Sequence, residues 1–140
     1  MMKHIALVAL AGMIILPLVA CSAADPAASD PLHGTSWVLV AYRKTRPIPG
    51  TTITAAFEDG QVRGSAGCNS YSASYQVSGD TIAVGEIAIT EMACLEPEGV
   101  MEQETISMEV MRDAQTFRLI DGQLQIFGSD GEALTFVPQA

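Results

Sequence analysis

Three cysteines, Cys21, Cys68 and Cys94, are the residues of this chain best suited to chemistry. No two of them have the Cys-x-x-Cys spacing of a zinc or redox site, and His33 is the single histidine after residue 20. A nucleophile and base pair is not predicted, because His33 lies at the edge of the folded region and Gly-x-Ser-x-Gly is absent. We therefore predict no catalytic residue, no metal site and no cofactor, and we expect the protein not to be an enzyme.

The chemistry of Cys21 is predicted from the apolar run that precedes it. Lys3 and His4 stand before an uncharged segment, residues 5–20, which is shorter than the roughly 20 residues of a membrane-spanning helix. This order is typical of a signal peptide, here residues 1–20. The sequence Leu18-Val19-Ala20-Cys21 resembles the lipobox of bacterial lipoproteins, so cleavage is expected between Ala20 and Cys21, with a diacylglyceryl group on the Cys21 thiol. The alternative is a buried cysteine in an uncleaved segment.

Residues 21–32 are predicted to be the lipidated N-terminus and a flexible tether, since they are rich in Ala, Ser, Asp and Pro without apolar periodicity. The lipid on Cys21 would attach the protein to a membrane of the cell envelope. Ser22 after the cysteine is compatible with the outer membrane, facing the periplasm, if the organism is Gram-negative. Without residues 1–20 the chain has 16 acidic and six basic residues, which argues against nucleic acid and anionic lipid surfaces as partners. We expect a monomer.

Cys68 and Cys94 remain after lipidation of Cys21. Two remaining cysteines in an exported protein suggest a disulfide, and each lies at the end of a candidate strand. The bond would close a loop of about 27 residues and contribute roughly 3.5 kcal/mol in the chain-entropy model. Two separate buried thiols are the alternative.

Charged residues form two groups that a partner or a reaction could use. Arg43, Lys44 and Arg46 fall in one loop and are half of the basic residues of the mature chain, so they could meet an acidic protein, lipid A phosphates or a glycan. The alternative is a solvated loop. Four acids could supply paired carboxylates, but a solvated face is the more common role of such a group: Glu86, Glu91, Glu96 and Glu98.

Alternating apolar residues and turn signals predict the elements that must position these side chains. Strands are predicted at residues 35–42, 52–57, 61–66, 71–77, 81–84, 87–92, 116–120, 123–127 and 133–137. Tight turns between strands favour antiparallel pairing. The fold class expected for residues 33–140 is therefore α+β and mainly β: a single domain with a curved antiparallel sheet, or partial barrel, of about eight short strands covered by one helix.

The helix is predicted from Pro97 to Asp113, because Ile106, Val110 and Ala114 share one face. Methionines within it could form a binding surface, although core or flanking positions are more typical of methionine: Met101, Met108 and Met111. Trp37 could stack on a ligand, but a core position in the first strand is favoured.

Three motifs together resemble the META domain, also called the HslJ-like family. They are Gly64–Tyr71 (GSAGCNSY), Thr90–Cys94 (TEMAC) with Met101–Glu104 (MEQE), and the opening Gly34–Trp37 (GTSW). The resemblance implies a small β domain with a helix, in an envelope protein that is often a lipoprotein and sometimes associated with heat shock or novobiocin resistance. It implies no active site. We expect a non-enzymatic protein that binds a partner or supports envelope integrity under stress. A protein inhibitor or assembly factor, and a small-ligand carrier, are the alternatives.

Overall fold

The computed structural model describes residues 29–140. The predicted signal peptide, its cleavage site, Cys21 and the first part of the tether lie outside the described residues. The described residues form nine strands and one helix: β1 (Thr35–Tyr42), β2 (Thr54–Glu58), β3 (Gln61–Ser65), β4 (Ser70–Ser78), β5 (Thr81–Val84), β6 (Ala88–Ile89), α1 (Val100–Arg112), β7 (Ala114–Ile120), β8 (Gln123–Gly128) and β9 (Ala133–Pro138). Within residues 29–140, α1 has 13 residues, too few for a membrane-spanning helix.

Eight of the strands close into an antiparallel barrel, which confirms the predicted mainly β fold with one helix. Strands β1 to β5 pair in sequence order, and β7 to β9 do the same. The barrel closes where β9 pairs with β1 and β5 pairs with β7. Strand β6 is short and pairs beside the first half of β4.

Tight turns set the register of the hairpins. Asp59-Gly60 and Asp121-Gly122 both connect strands with positive φ at the two turn residues, 48° and 71° in the first case and 52° and 75° in the second. Turns of this kind match the twist of the paired strands, and Asp-Gly is one of the sequences that adopt them most easily. The hairpin that Asp121-Gly122 predicts is therefore confirmed.

The barrel has two distinct ends. One, the N-terminal end, contains the beginning of β1 and the turns Asp59-Gly60 and Asp121-Gly122. The opposite end, the helix end, contains the end of β1 and the beginning of β4. Helix α1 lies at the helix end, because its residues contact the loops that leave β1 and β3.

Side chains fill the interior of the barrel. Large apolar residues of several strands, together with Ile53 just before β2, are 2% exposed or less: Phe57, Phe136, Ile53, Val62, Leu124, Ile126 and Leu134. Trp37 is 7% exposed, which confirms its predicted core position. Leu32 belongs to the segment predicted as tether, yet its side chain is completely buried in this core. The folded region thus includes residues just before position 33.

The helix is shorter than predicted, while Val110 and Ala114 of the predicted buried face are in the core. It begins at Val100 rather than Pro97, because Gly99 has a φ of 84° and ends the preceding turn. Ile106 is only partly buried, while Met108 and Met111 are in the core, as predicted for these methionines. The buried stripe also contains three polar residues: Gln103, Glu104 and Ser107.

Candidate functional site

A disulfide joins the two cysteines of the folded region. Cys68 follows β3 and Cys94 precedes α1, and their Cα atoms are 6.0 Å apart. The predicted pairing of Cys68 with Cys94 is present in the structure. The bond attaches the segment before the helix, residues 90–99, to the loop between β3 and β4. We call residues 90–99 the disulfide segment.

Asn69 holds the same segment through its side-chain amide. Its Oδ1 accepts hydrogen bonds from the Met92 backbone N–H (2.7 Å) and the Thr90 hydroxyl (2.8 Å). Its Nδ2 donates to the Met92 carbonyl oxygen (3.0 Å). Asn69 is 2% exposed, so these bonds replace water for a buried amide. Asn69 therefore connects two chain segments.

Glu104 places a carboxylate beside Asn69 from helix α1. Its oxygens accept hydrogen bonds from the Asn69 backbone N–H (2.7 Å), the Asn69 Nδ2 (2.7 Å) and the Cys68 backbone N–H (3.2 Å). Glu104 is only 5% exposed. A buried carboxylate is tolerated where donors surround it, and three donors converge on this one.

Gln103 makes a second attachment of the helix, on the neighbouring loop. Its Oε1 accepts from the Ile48 backbone N–H (2.6 Å), and its Nε2 donates to the Thr51 hydroxyl (3.0 Å). The Gln103 amide also packs against Gly67, where an added Cβ would lie 3.4 Å from Nε2. The loop between β1 and β2 is thereby fixed to α1.

Asn69, Gln103 and Glu104 form one buried structural unit, which we call the polar clamp. Together with the disulfide it fastens α1, the disulfide segment and two loops to the helix end of the barrel. Sequence reasoning missed Gln103 and Glu104, because polar residues of a surface helix usually face solvent. The signal that could have revealed them is their place within the MEQE motif.

The glycine that begins the first motif has a packing role near the clamp. A Cβ on Gly64 would lie 2.1 Å from the Thr54 carbonyl oxygen, which is impossible without movement of the backbone. The Thr54 hydroxyl in turn accepts a hydrogen bond from the Ser65 N–H (2.9 Å). The first motif therefore encodes the close approach of β2 and β3 and the loop that contains Cys68 and Asn69.

The family model of the META domain matches residues 30–140, which include the whole barrel, the disulfide and the polar clamp. The chain belongs to the META domain family. This confirms the resemblance inferred from the three motifs. No curated protein matches the chain.

Solved structures share the fold of this META domain. A protein from Burkholderia xenovorans, solved by NMR, is 26% identical with a TM-score of 0.65, and the match covers 100% of this chain and 99% of the other. A second NMR structure is 22% identical, with a TM-score of 0.62 over 76% of this chain and 90% of the other. A DUF4847 family protein from Bacteroides vulgatus is 12% identical with a TM-score of 0.56, over 76% and 94%. The last two show the fold alone.

In the loop predicted to meet a partner, Arg43 lies near acids of the same chain, whereas Lys44 and Arg46 form no ion pair within the described part of the chain. Arg43 and Lys44 are the two turn residues between Tyr42 and Thr45, with φ of 44° and 66°. The Arg43 guanidinium lies 3.9 Å from the Glu109 carboxylate and 4.0 Å from that of Asp130. Lys44 and Arg46 are exposed. Part of the positive charge of this loop is thus matched by acids of the same chain.

The four glutamates considered as a catalytic pair are all exposed, in agreement with a solvated surface: Glu86, Glu91, Glu96 and Glu98. A cleft of about 340 Å³ lies along β4 and β6, and a larger one of about 720 Å³ lies along β3 and β4; Ser70, Tyr71 and Ser72 line both. Hydroxyl groups and Arg63 line the larger cleft. Since side chains fill the barrel, an exterior cleft of this kind is where a small ligand would have room.

Proposed function

We propose that this protein is a lipid-anchored component of the bacterial cell envelope whose META domain acts by binding and supports envelope integrity under heat or antibiotic stress. The observation that carries the proposal is the Cys68–Cys94 disulfide. Disulfides persist in exported proteins, and the N-terminal sequence independently predicts export. The disulfide and the predicted signal peptide therefore both support an exported location.

The anchor in this proposal is an acylated Cys21. Each buried CH₂ of an acyl chain contributes about 0.8 kcal/mol, so two or three chains attach a protein durably to a membrane. In a Gram-negative organism, the residue after the cysteine, Ser22, supports placement in the outer membrane with the META domain in the periplasm.

Binding is favoured over catalysis by the way in which the motif residues are used. The hydrogen-bonding groups of Asn69 and Gln103, and both carboxylate oxygens of Glu104, are occupied by bonds within the chain. Groups held in this way stabilise the helix end and are not directed at a substrate.

An inhibitor or assembly factor is the second candidate function. It is favoured by the exposed Lys44 and Arg46 at the helix end.

Intact mass spectrometry of the protein from its native membrane tests the anchor. The expected mass corresponds to a chain that begins at Cys21 with a diacylglyceryl group and gains two mass units on reduction. A Cys21→Ala variant should lose the lipid and the membrane association, while the control Cys68→Ser should remain lipidated. An uncleaved or unlipidated chain would contradict the proposed location.

Growth under stress tests the role. Cells without the protein should grow less well than wild type at high temperature or with novobiocin. The wild-type gene should restore growth, and the Cys21→Ala gene should not. Equal growth of the deleted and wild-type cells in both conditions would contradict the stress role.

A further inference from the structure

Exposed apolar side chains occur at both ends of the barrel, but the most exposed lie on the disulfide segment. Leu95 is 87% exposed and Met92 is 57% exposed. At the N-terminal end, Leu119 and Ile120 are 45% and 46% exposed. Single exposed apolar residues are ordinary on protein surfaces, so exposure alone does not indicate an interface.

The disulfide segment holds Met92 and Leu95 in a fixed frame. Both the N–H and the carbonyl oxygen of Met92 are bonded to the Asn69 side chain. Cys94, next to Leu95, is bonded to Cys68, and its N–H donates to the Met101 thioether sulfur (3.4 Å). A segment that is ordered before binding loses less conformational entropy when a partner binds, which favours affinity.

The apolar side chains of this segment are flanked by acids. Glu91 precedes Met92, Glu96 follows Leu95, and Glu98 lies two residues further; all three are exposed. Both ion pairs among residues 29–140 belong to Arg43, so these three carboxylates have no cationic partner within the described chain. An apolar anchor among acids is complementary to a basic surface with an apolar pocket.

The same charges argue against a lipid surface as the occupant. Anionic lipid headgroups repel carboxylates, and the segment contains no basic residue that would attract them. The segment also lies at the helix end, opposite the N-terminal end of the barrel.

We propose that Met92 and Leu95, with Glu91, Glu96 and Glu98, form a docking surface for a basic protein partner that accepts the Leu95 side chain in an apolar pocket. The acids steer the partner and fix its orientation, while Leu95 provides the buried contact at the centre. The disulfide and the polar clamp hold this surface in its folded conformation before the partner binds.

Site-specific photocrosslinking in intact cells tests the surface. A benzoylphenylalanine at position 95 of the full chain should yield an adduct with a protein that mass spectrometry can identify. The matched probe at position 120, on the exposed hairpin of the N-terminal end, should not yield it.

With the purified partner and the lipidated protein in detergent, Leu95→Ser should weaken binding at least tenfold, and Ile120→Ser should leave it unchanged. Glu96→Lys with Glu98→Lys should also weaken binding, and higher salt should weaken the wild-type complex.

Three results would overturn the docking surface: no adduct at position 95 beyond that at position 120, an adduct with lipid alone, or a partner whose affinity is the same for wild type and Leu95→Ser. The anchor is judged separately by the mass of the N-terminus. A chain without lipid that still binds the partner through Leu95 would contradict the proposed location and leave the docking surface standing.

Discussion

At the scale of single residues, the polar clamp shows how a buried carboxylate can serve structure. Glu104 receives three hydrogen bonds, two of them from backbone N–H groups of the loop that contains Cys68. Removing the carboxylate would leave those donors buried without acceptors. An unsatisfied buried donor costs about 1–3 kcal/mol, which is more than the net contribution of an ordinary hydrogen bond.

We predict that Glu104→Leu lowers the free energy of unfolding by about 3 kcal/mol, because at least two donors lose their acceptor in the interior. Urea unfolding followed by circular dichroism would measure the loss. The control is Glu102→Leu, which is exposed in the first turn of the same helix and should change stability by less than about 0.5 kcal/mol. Equal effects of the two substitutions would show that the clamp has no special role.

At the scale of elements, the disulfide stabilises a region that has little regular structure. The bond joins residues that are 26 positions apart and holds the disulfide segment, which contains no strand or helix. In the chain-entropy model the cross-link restricts the unfolded chain. The disulfide should therefore raise the free energy of unfolding of the whole domain.

We predict that replacing both cysteines, Cys68→Ser with Cys94→Ser, lowers the free energy of unfolding by about 3.5 kcal/mol, since the unfolded chain regains the entropy of an open loop. Denaturant unfolding with and without a thiol reductant would measure it. Wild type with reductant should match the double variant, and the double variant should not respond to reductant. If wild type is equally stable with and without reductant, the disulfide does not contribute as predicted.

The elements that the sequence predicted well are those with local signals. Asp121-Gly122 determines its hairpin through the backbone preference of two residues, and β1 and β5 are bounded as predicted. The helix boundary was wrong because Pro97 suggested a first turn, whereas the positive φ of Gly99 delays the start. The buried face of α1 was predicted from apolar spacing, which cannot detect Gln103 and Glu104, since their burial depends on donors from distant loops.

At the scale of the whole molecule, no local sequence pattern predicts that the barrel closes. Two meanders, β1 to β5 and β7 to β9, follow from tight turns, but the pairings of β1 with β9 and of β5 with β7 join distant parts of the chain. Sequence alternation shows which side chains face inward and does not show which strand will be the neighbour. A curved or partly closed sheet was therefore the most that local patterns could predict.

The N-terminal segment completes the molecule at the end opposite the helix. We predict that Leu32→Ala lowers the free energy of unfolding by about 3 kcal/mol, because it removes a completely buried side chain and leaves a cavity in the core. Urea unfolding would measure the change. Leu119→Ala, a matched substitution at an exposed site of the same end, should cost much less. If the two cost the same, residues before β1 would not be part of the folded core.

The response of the whole molecule to alkaline pH depends on two inward-facing tyrosines of β4. Burial raises the pKa of Tyr71 above its ordinary value of 10.0. Burial also raises the pKa of Tyr75, and the hydrogen bond from the Tyr75 hydroxyl to the Asp30 carboxylate raises it further. Above pH 10 the unfolded chain releases these protons while the folded chain retains them. The unfolded state then binds fewer protons, so the free energy of unfolding falls as pH rises.

We predict that stability is constant with respect to these two groups below about pH 9 and declines above pH 10, by up to about 1.4 kcal/mol per pH unit for each tyrosine. Urea unfolding between pH 8 and 11.5 would measure the slope. Phenylalanine cannot ionise, so Tyr75→Phe should reduce the slope, and Tyr71→Phe with Tyr75→Phe should reduce it further. Because Tyr75 also binds Asp30, the decline would loosen the N-terminal segment together with the barrel. An unchanged slope in the double variant would mean that other groups determine the alkaline limit.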